Sequence, residues 1–113
     1  MGTNYQDERS HGVRVSDAWK FRGLKTVVLE NKHIRVEIIS DKGADISSFV
    51  HKSTDTELMF KTPWGLRNPK NNVPPSGDGA SVWLDYYEGG WQTVVPHGGY
   101  PSKYYGADFG IHG

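Results

Sequence analysis

An apolar, β-branched segment followed at once by a segment with a period of two residues restricts the fold of this chain most. Leu24–Glu30 is apolar and β-branched, and after the link Asn31-Lys32 the segment His33–Ile39 alternates between apolar and polar positions. The apolar positions are Ile34, Val36 and Ile38, and the polar positions are His33, Arg35 and Glu37. A period of two is typical of β-strands, and a two-residue link joins antiparallel strands. The segments therefore predict a β-hairpin, Leu24–Glu30 with His33–Ile39.

Further turn and strand signals continue this pattern along the first half of the chain. Asp41-Lys42-Gly43 predicts a turn, Ile46–Lys52 a third strand, residues 53–56 a turn, and Glu57–Lys61 a short fourth strand. No window of about a dozen residues combines the helical period with caps, so little helix is expected. Regularly spaced strands and turns predict an all-β fold, an antiparallel sandwich or barrel.

Residues 1–23 show a weaker pattern. Val13 and Val15 alternate with polar neighbours, which predicts an edge strand, and Asp17–Lys20 predicts a turn. We therefore divide the chain into an N-terminal extension or edge strand, residues 1–23, and a sandwich portion, residues 24–113.

Glycine and proline separate the chain into two unlike halves. Residues 1–62 contain four glycines and no proline, whereas residues 63–113 contain ten glycines, all six prolines and nine aromatic residues. Because glycine and proline interrupt regular structure, the second half predicts shaped loops with short strands. Such loops on a rigid scaffold are frequent places for ligand sites. The alternative is an ordinary irregular wall of a β-sandwich.

Composition excludes several classes of function. The chain has no cysteine, which rules out disulfides, thiolate chemistry and cysteine zinc sites. Its 13 basic and 13 acidic residues balance, so we expect no broad binding to nucleic acid or anionic membranes. It has no apolar run long enough to span a bilayer. The absence of cysteine and of an N-terminal apolar signal stretch favours the cytoplasm.

The stretch from Trp83 to His97 is the densest candidate for ligand chemistry. It combines two tryptophans, two tyrosines, two carboxylates, a glutamine and the pair Gly89-Gly90. Flat rings pack against the C–H face of a pyranose, and planar polar groups bind its hydroxyls, so the stretch suits a sugar. The alternative is that Trp83 and Trp91 are core residues, as tryptophan usually is.

Histidines with glycine neighbours are candidates for acid–base catalysis. His97 and His112 both have such neighbours, which expose an imidazole, whereas His51 lies in a predicted strand and suits a structural role. The separation of His97 and His112 matches no zinc-ligand spacing, so no metal site is predicted. Three carboxylates could supply a glycosidase pair, but nothing in the sequence pairs them: Asp85, Glu88 and Asp108.

Three segments of the chain share their order with a known family. Residues 27–60, VVLENKHIRVEIISDKGADISSFVHKSTDTELMF, form a strand–turn–strand region. Residues 87–99, YEGGWQTVVPHGG, contain a Gly-Gly-Trp segment that leads into a turn. Residues 105–113, YGADFGIHG, end in His-Gly. In this order the segments resemble the N-terminal part of aldose 1-epimerase (galactose mutarotase-like) proteins.

The resemblance implies a fold, an activity and site residues. The fold is the galactose mutarotase-like supersandwich, an antiparallel β-sandwich, with only its N-terminal part present and truncated at Gly113. The activity is the interconversion of sugar anomers: an acid and a base open the ring, the C1–C2 bond rotates and the ring recloses, with no cofactor. His112 matches the catalytic position. The substrate-binding candidates are Arg67, Trp91, Gln92 and His97.

Trp91 also has a structural interpretation. It precedes the apolar run Thr93-Val94-Val95, which predicts a ring packed under the next strand.

Other interpretations of function stay open beside the epimerase. The family's general base lies beyond the matched residues, so we expect the fragment not to accelerate mutarotation in a polarimeter. A non-catalytic carbohydrate-binding β-sandwich and an accessory domain of a glycoside-processing enzyme are the alternatives. A half-built sheet leaves unpaired edges, which predicts self-association.

Overall fold

Strands that are neighbours along the chain are also neighbours in space. The computed structural model describes residues 12–68, 79–95 and 98–109. These residues contain a five-stranded antiparallel sheet in the order β1-β2-β3-β4-β5, one helix and a separate two-stranded sheet. The strands of the main sheet are β1 (Arg14–Phe21), β2 (Leu24–Glu30), β3 (Ile34–Ile39), β4 (Asp45–His51) and β5 (Thr56–Glu57). The remaining elements are a 3₁₀ turn (Ser40–Lys42), α1 (Gly79–Tyr86), β6 (Ser102–Tyr104) and β7 (Ala107–Phe109). The predicted all-β class is confirmed at this level.

The predicted hairpin is confirmed as β2 and β3. The strands pair antiparallel, with Val28 opposite Glu37. The side chain of Asn31 closes the link between them, because its Oδ1 accepts hydrogen bonds from the backbone N–H groups of His33 at 2.8 Å and Ile34 at 2.9 Å. This asparagine turn takes the place of the glycine that two-residue links favour.

β1 continues through residues for which the sequence predicts a turn. The turn predicted at Asp17–Lys20 is wrong, because β1 runs straight through these residues. The strand accommodates one extra residue in a β-bulge just before Trp19. The shift in register places Trp19 on the same face as Arg14. The chain reverses instead at Arg22-Gly23, where both residues have positive φ, 50° and 81°.

Two predictions near the start of the glycine-rich half are corrected. The fourth strand ends at Glu57 rather than at Lys61, because residues 88–91 occupy the position beside β4 that it would otherwise fill. Helix α1 lies where only loops and short strands are predicted. With eight residues it is shorter than the window in which a helical period becomes visible.

The face of the sheet that carries Leu24 and Ile39 contains the described hydrophobic core. These two side chains pack with Leu66, which comes from the loop after β5. Asn68 fixes the same loop, because its Nδ2 donates a 3.0 Å hydrogen bond to the carbonyl oxygen of Arg22. One end of this face is therefore covered by residues 62–68.

Charged side chains fill the other end of the same face. The carboxylate of Glu30 is fully buried and lies 2.8 Å from Lys52 Nζ, 3.1 Å from Arg14 Nη2 and 3.7 Å from Arg35 Nε. The ring of Trp19 lies 5.9 Å from both guanidinium groups, measured from its centroid. Arg35, the central polar position of the alternating segment, therefore belongs to a buried ion cluster.

The opposite face carries an apolar row that crosses four strands. Val15, Leu29, Val36 and Phe49 are successive partners in register. Val36 is buried, but Val15 is 71% and Leu29 36% exposed. This face is therefore covered only in its middle by the described residues.

We expect the backbone amides of β2 and β3 to exchange most slowly with solvent. Val28 and Val36 are 1% and 7% exposed, and each lies on a strand with a neighbour on both sides. The matched comparison is β6–β7, because an isolated two-stranded sheet is marginally stable in water. Hydrogen exchange followed by NMR checks this, and faster exchange in β2–β3 than in β6–β7 would contradict the assignment.

Candidate functional site

Residues 88–92 lie along the edge of the main sheet and join it through two isolated β-bridges. Trp91 forms a bridge with Ile46 of β4, and Gly89 forms a bridge with Lys61. Trp91 N donates to Ile46 O at 2.9 Å, and Ile46 N donates back to Trp91 O at 2.8 Å. On the other side, Gly90 N donates to Phe60 O at 2.7 Å. We call residues 88–92 the inserted segment.

Gly89-Gly90 makes this insertion sterically possible. Their φ angles are 101° and 73°, in the left-handed region that other residues rarely adopt. A Cβ at position 89 would overlap the carbonyl group of Phe60, lying 2.8 Å from its carbon, and a Cβ at position 90 would overlap the carbonyl oxygen of Ile46. The glycine pair is required because backbone approaches backbone here.

A chain of four contacts joins five residues, from Arg67 in the loop after β5 to Gln92 at the end of the inserted segment. The guanidinium of Arg67 lies 5.9 Å from the ring centroid of Trp64, and Trp64 Nε1 donates a 2.8 Å hydrogen bond to the carbonyl oxygen of Tyr87. Tyr87 stacks on Trp83 with ring centroids 4.8 Å apart. Trp83 Nε1 donates to Gln92 Oε1 at 3.2 Å. We call these residues the aromatic chain.

The aromatic chain connects two of the residues that the sequence singles out. Arg67 and Gln92 stand at its two ends and are both half-buried. Trp64 was not among the residues selected from the sequence. Its indole N–H makes the connection by donating a hydrogen bond to the carbonyl oxygen of Tyr87, 23 positions away in the chain. The signal that could have found it is its place in the turn Pro63-Trp64-Gly65, at the start of the aromatic-rich half.

Trp91 is exposed, in contrast to the packed ring that the sequence predicts. Its side chain is 62% exposed, although its backbone is bonded to β4 on both polar groups. The following residues Thr93, Val94 and Val95 form no strand and are exposed themselves, so they do not cover the ring. The backbone of Trp91 is structural, and its ring is presented to solvent.

The remaining sequence candidates do not form a site in the described part of the chain. His97 and His112 lie outside the described residues, as does the side chain of Asp85. Asp108 is 77% exposed and lies 3.5 Å from Lys103. Among residues 12–68, 79–95 and 98–109, no three His, Asp or Glu side chains are grouped as metal ligands.

Glu88 is the buried titratable group of the region. Its side chain is 8% exposed, and its Oε1 has no hydrogen-bond partner within the described ranges. Lys42 Nζ lies 3.9 Å from that atom, beyond hydrogen-bond length, and bonds Asp45 Oδ2 at 2.8 Å instead. Burial raises the pKa of Glu88 above its usual value, and Asp45 adds to the rise, while Lys42 and Lys61 oppose it.

Comparisons with known proteins add no assignment. No family model, no curated protein and no solved structure matches this chain. The resemblance to the aldose 1-epimerase family therefore stays a prediction. None of the helical residues that the structure describes forms a segment with the length and hydropathy that crossing a membrane requires.

Proposed function

We propose that this chain is a sugar-binding β-domain of the aldose 1-epimerase type. The observation that carries the proposal is the aromatic chain, which joins Arg67 to Gln92 through three rings beside the inserted segment. In the proposal a pyranose lies against these rings and against the exposed ring of Trp91.

The chemistry of the aromatic chain fits a neutral polyhydroxylated ligand. Indole and phenol rings offer flat apolar surface to the C–H face of a pyranose, while the N–H groups of both indoles are hydrogen-bonded within the protein. Arg67 offers guanidinium N–H donors, and Gln92 offers an amide with both donor and acceptor atoms. A few placed polar groups among aromatic side chains are typical of small-molecule sites.

The fold supports the same proposal. A five-stranded antiparallel meander with one partly exposed apolar face is one sheet of the kind that a β-sandwich packs against a second sheet. In the proposal the sheet belongs to a galactose mutarotase-like supersandwich. The Gly-Gly-Trp segment, one of the three resembling pieces, has a steric reason for its glycines in this sheet.

His112 carries the catalytic part of the proposal. By resemblance it exchanges protons with the sugar during ring opening, a role that an imidazole can fill near neutral pH. Anomer interconversion is the proposed reaction, and binding without catalysis is the second form of the same proposal.

We expect Trp91→Ala to weaken sugar binding without unfolding the protein. The ring is 62% exposed, so its removal costs little core packing, while the loss of a stacking surface should lower affinity about tenfold, or about 1.4 kcal/mol. The measurement is an NMR titration of the 113-residue chain with D-galactose and D-glucose, followed at the amides of Gly90 and Gln92.

Tyr105→Ala is the matched control for that titration. Its ring is 92% exposed and lies in the β6–β7 turn, outside the aromatic chain, so its loss should leave sugar affinity unchanged. Equal weakening by both variants, or no saturable shift in the parent chain, would overturn the proposal. Polarimetry then separates binding from catalysis: a chain that binds sugar saturably but does not accelerate mutarotation has the binding function alone.

A further inference from the structure

Glu88 anchors the inserted segment through its backbone, while one oxygen of its buried side chain has no hydrogen bond among the described residues. The carbonyl oxygen of Glu88 accepts hydrogen bonds from Thr62 N at 2.8 Å and Thr62 Oγ1 at 3.2 Å. The carboxyl group, in contrast, is buried with Oε1 unbonded within the described residues. A buried carboxylate without hydrogen bonds is costly in its ionised form and far less so when protonated.

Three charged side chains from three different parts of the fold surround this carboxyl. Lys42 comes from the turn after β3, Asp45 from the start of β4 and Lys61 from the stretch after β5. Lys42 is already bonded to Asp45, and Lys61 is 53% exposed with its Nζ 3.7 Å from Glu57. Two buried carboxyls therefore share one close ammonium, which hydrogen-bonds Asp45 and stands at the longer ion-pair distance of 3.9 Å from Glu88.

We infer that Glu88 is a proton-operated latch on the inserted segment. In the protonated form the side chain is neutral and residues 88–92 stay seated between β4 and residues 60–61. Ionisation places a poorly compensated charge under the segment and favours its release, which changes the surroundings of the exposed Trp91 ring. The latch does not depend on sugar binding.

The sign of the pH dependence follows from the raised pKa of Glu88. The seated segment binds a proton more tightly than the released segment, where the carboxyl is solvated and has its usual pKa. The latch is therefore fully closed below the usual pKa of a glutamate. The latch weakens as the pH rises from the usual pKa of a glutamate to the raised pKa of Glu88. Above the raised pKa it does not weaken further.

Amide exchange of the inserted segment tests the latch directly. The amides of Gly90, Trp91 and Ile46 make the hydrogen bonds that hold the segment in place. In the wild-type chain their opening constants, corrected for intrinsic exchange, should rise about tenfold for each pH unit between the two pKa values. In Glu88→Gln, which is isosteric and does not titrate, the opening constants should be independent of pH.

Asp108→Asn is the control, because that carboxylate is 77% exposed and outside the site. It should retain the wild-type pH curve. A wild-type segment whose exchange is flat with pH, or a Glu88→Gln chain that follows the wild-type curve, would refute the latch.

A second measurement needs no variant. The ¹³C shift of the Glu88 carboxyl reports its ionisation, and the indole N–H resonance of Trp91, resolved by NMR from those of the other three tryptophans, reports the segment, so the two midpoints should coincide. Midpoints that differ by more than about one pH unit would also refute the latch. Loss of sugar binding with coincident midpoints would overturn only the proposed function, because the latch requires no ligand.

Discussion

Gly89→Ala should detach the inserted segment and lower the free energy of unfolding by about 4 kcal/mol. Two separate costs add up at this position. The φ angle of 101° is strained for any residue with a Cβ, and the added methyl would overlap the carbonyl group of Phe60. That carbonyl is backbone and is bonded to Gly90 N, so it cannot move aside like a flexible side chain.

Chemical denaturation and hydrogen exchange measure this effect together. Denaturation gives the loss of stability, and exchange shows where the structure opens. The amide of Ile46, which donates to Trp91 O, and the amide of Thr62, which donates to Glu88 O, should lose protection first. The amides of β2 and β3 should stay protected, because the segment lies at the far edge of β4.

Gly43→Ala separates the steric cost from the cost of the backbone angle. Gly43 also has a positive φ, 63°, but no heavy atom lies within 4 Å of the place its Cβ would take. Its substitution should therefore cost only about 1 kcal/mol, the strain of a left-handed residue. Similar losses from the two alanine variants would show that the close approach at Gly89 does not hold the segment.

Gly89-Gly90 illustrates how much of the candidate site the sequence could predict. From the sequence alone, the pair predicts either a sharp turn or a close approach of the backbone to another group. In the structure the pair makes the close approach. The sequence could not show that the neighbours are the carbonyl groups of Phe60 and Ile46, because those residues lie about 30 and 45 positions away. The exposed ring of Trp91 was missed for the same reason, since its burial depends on which residues cover it.

The hairpin of β2 and β3 was predictable because its determinants are local. Alternation with a period of two, a short link and β-branched residues all lie within one stretch, and each favours the same structure. Helix α1 was not predictable in this way, because eight residues between glycine-rich segments carry too few turns for a period to show. The β-bulge before Trp19 likewise leaves no periodic signal.

The burial of Arg35 marks the limit of reasoning from alternation. Its side chain is 3% exposed, less than the half-buried Ile34 and Ile38 on the apolar face. Polar residues at alternate positions normally indicate a solvent-facing side. Here that side is covered by an ion cluster whose members come from β1, β2 and the turn after β4, which no local pattern reveals.

Glu30→Gln should have the second large effect, because Glu30 lies at the centre of the same ion cluster. We expect the free energy of unfolding to fall by about 3–5 kcal/mol. Glu30 is fully buried and stands within ion-pair distance of three cations. Glutamine keeps the shape of the side chain but removes the negative charge that Lys52, at 5% exposure, and Arg35, at 3%, share, while Arg35 keeps its ion pair with Glu37. Buried charge without compensation is strongly unfavourable, which sets the size of the effect.

A double-mutant cycle with Lys52 shows whether the charge, rather than the packing, is responsible. If it is, Lys52→Gln costs less in the Glu30→Gln background than in the wild-type chain, because the second change then removes an uncompensated cation. Asp108→Asn is the exposed counterpart: Asp108 and Lys103 are 77% and 79% exposed, and solvent screening should leave unfolding unchanged. Additive losses for Glu30→Gln and Lys52→Gln in denaturant unfolding would contradict the coupling and assign the stability of this face to packing alone.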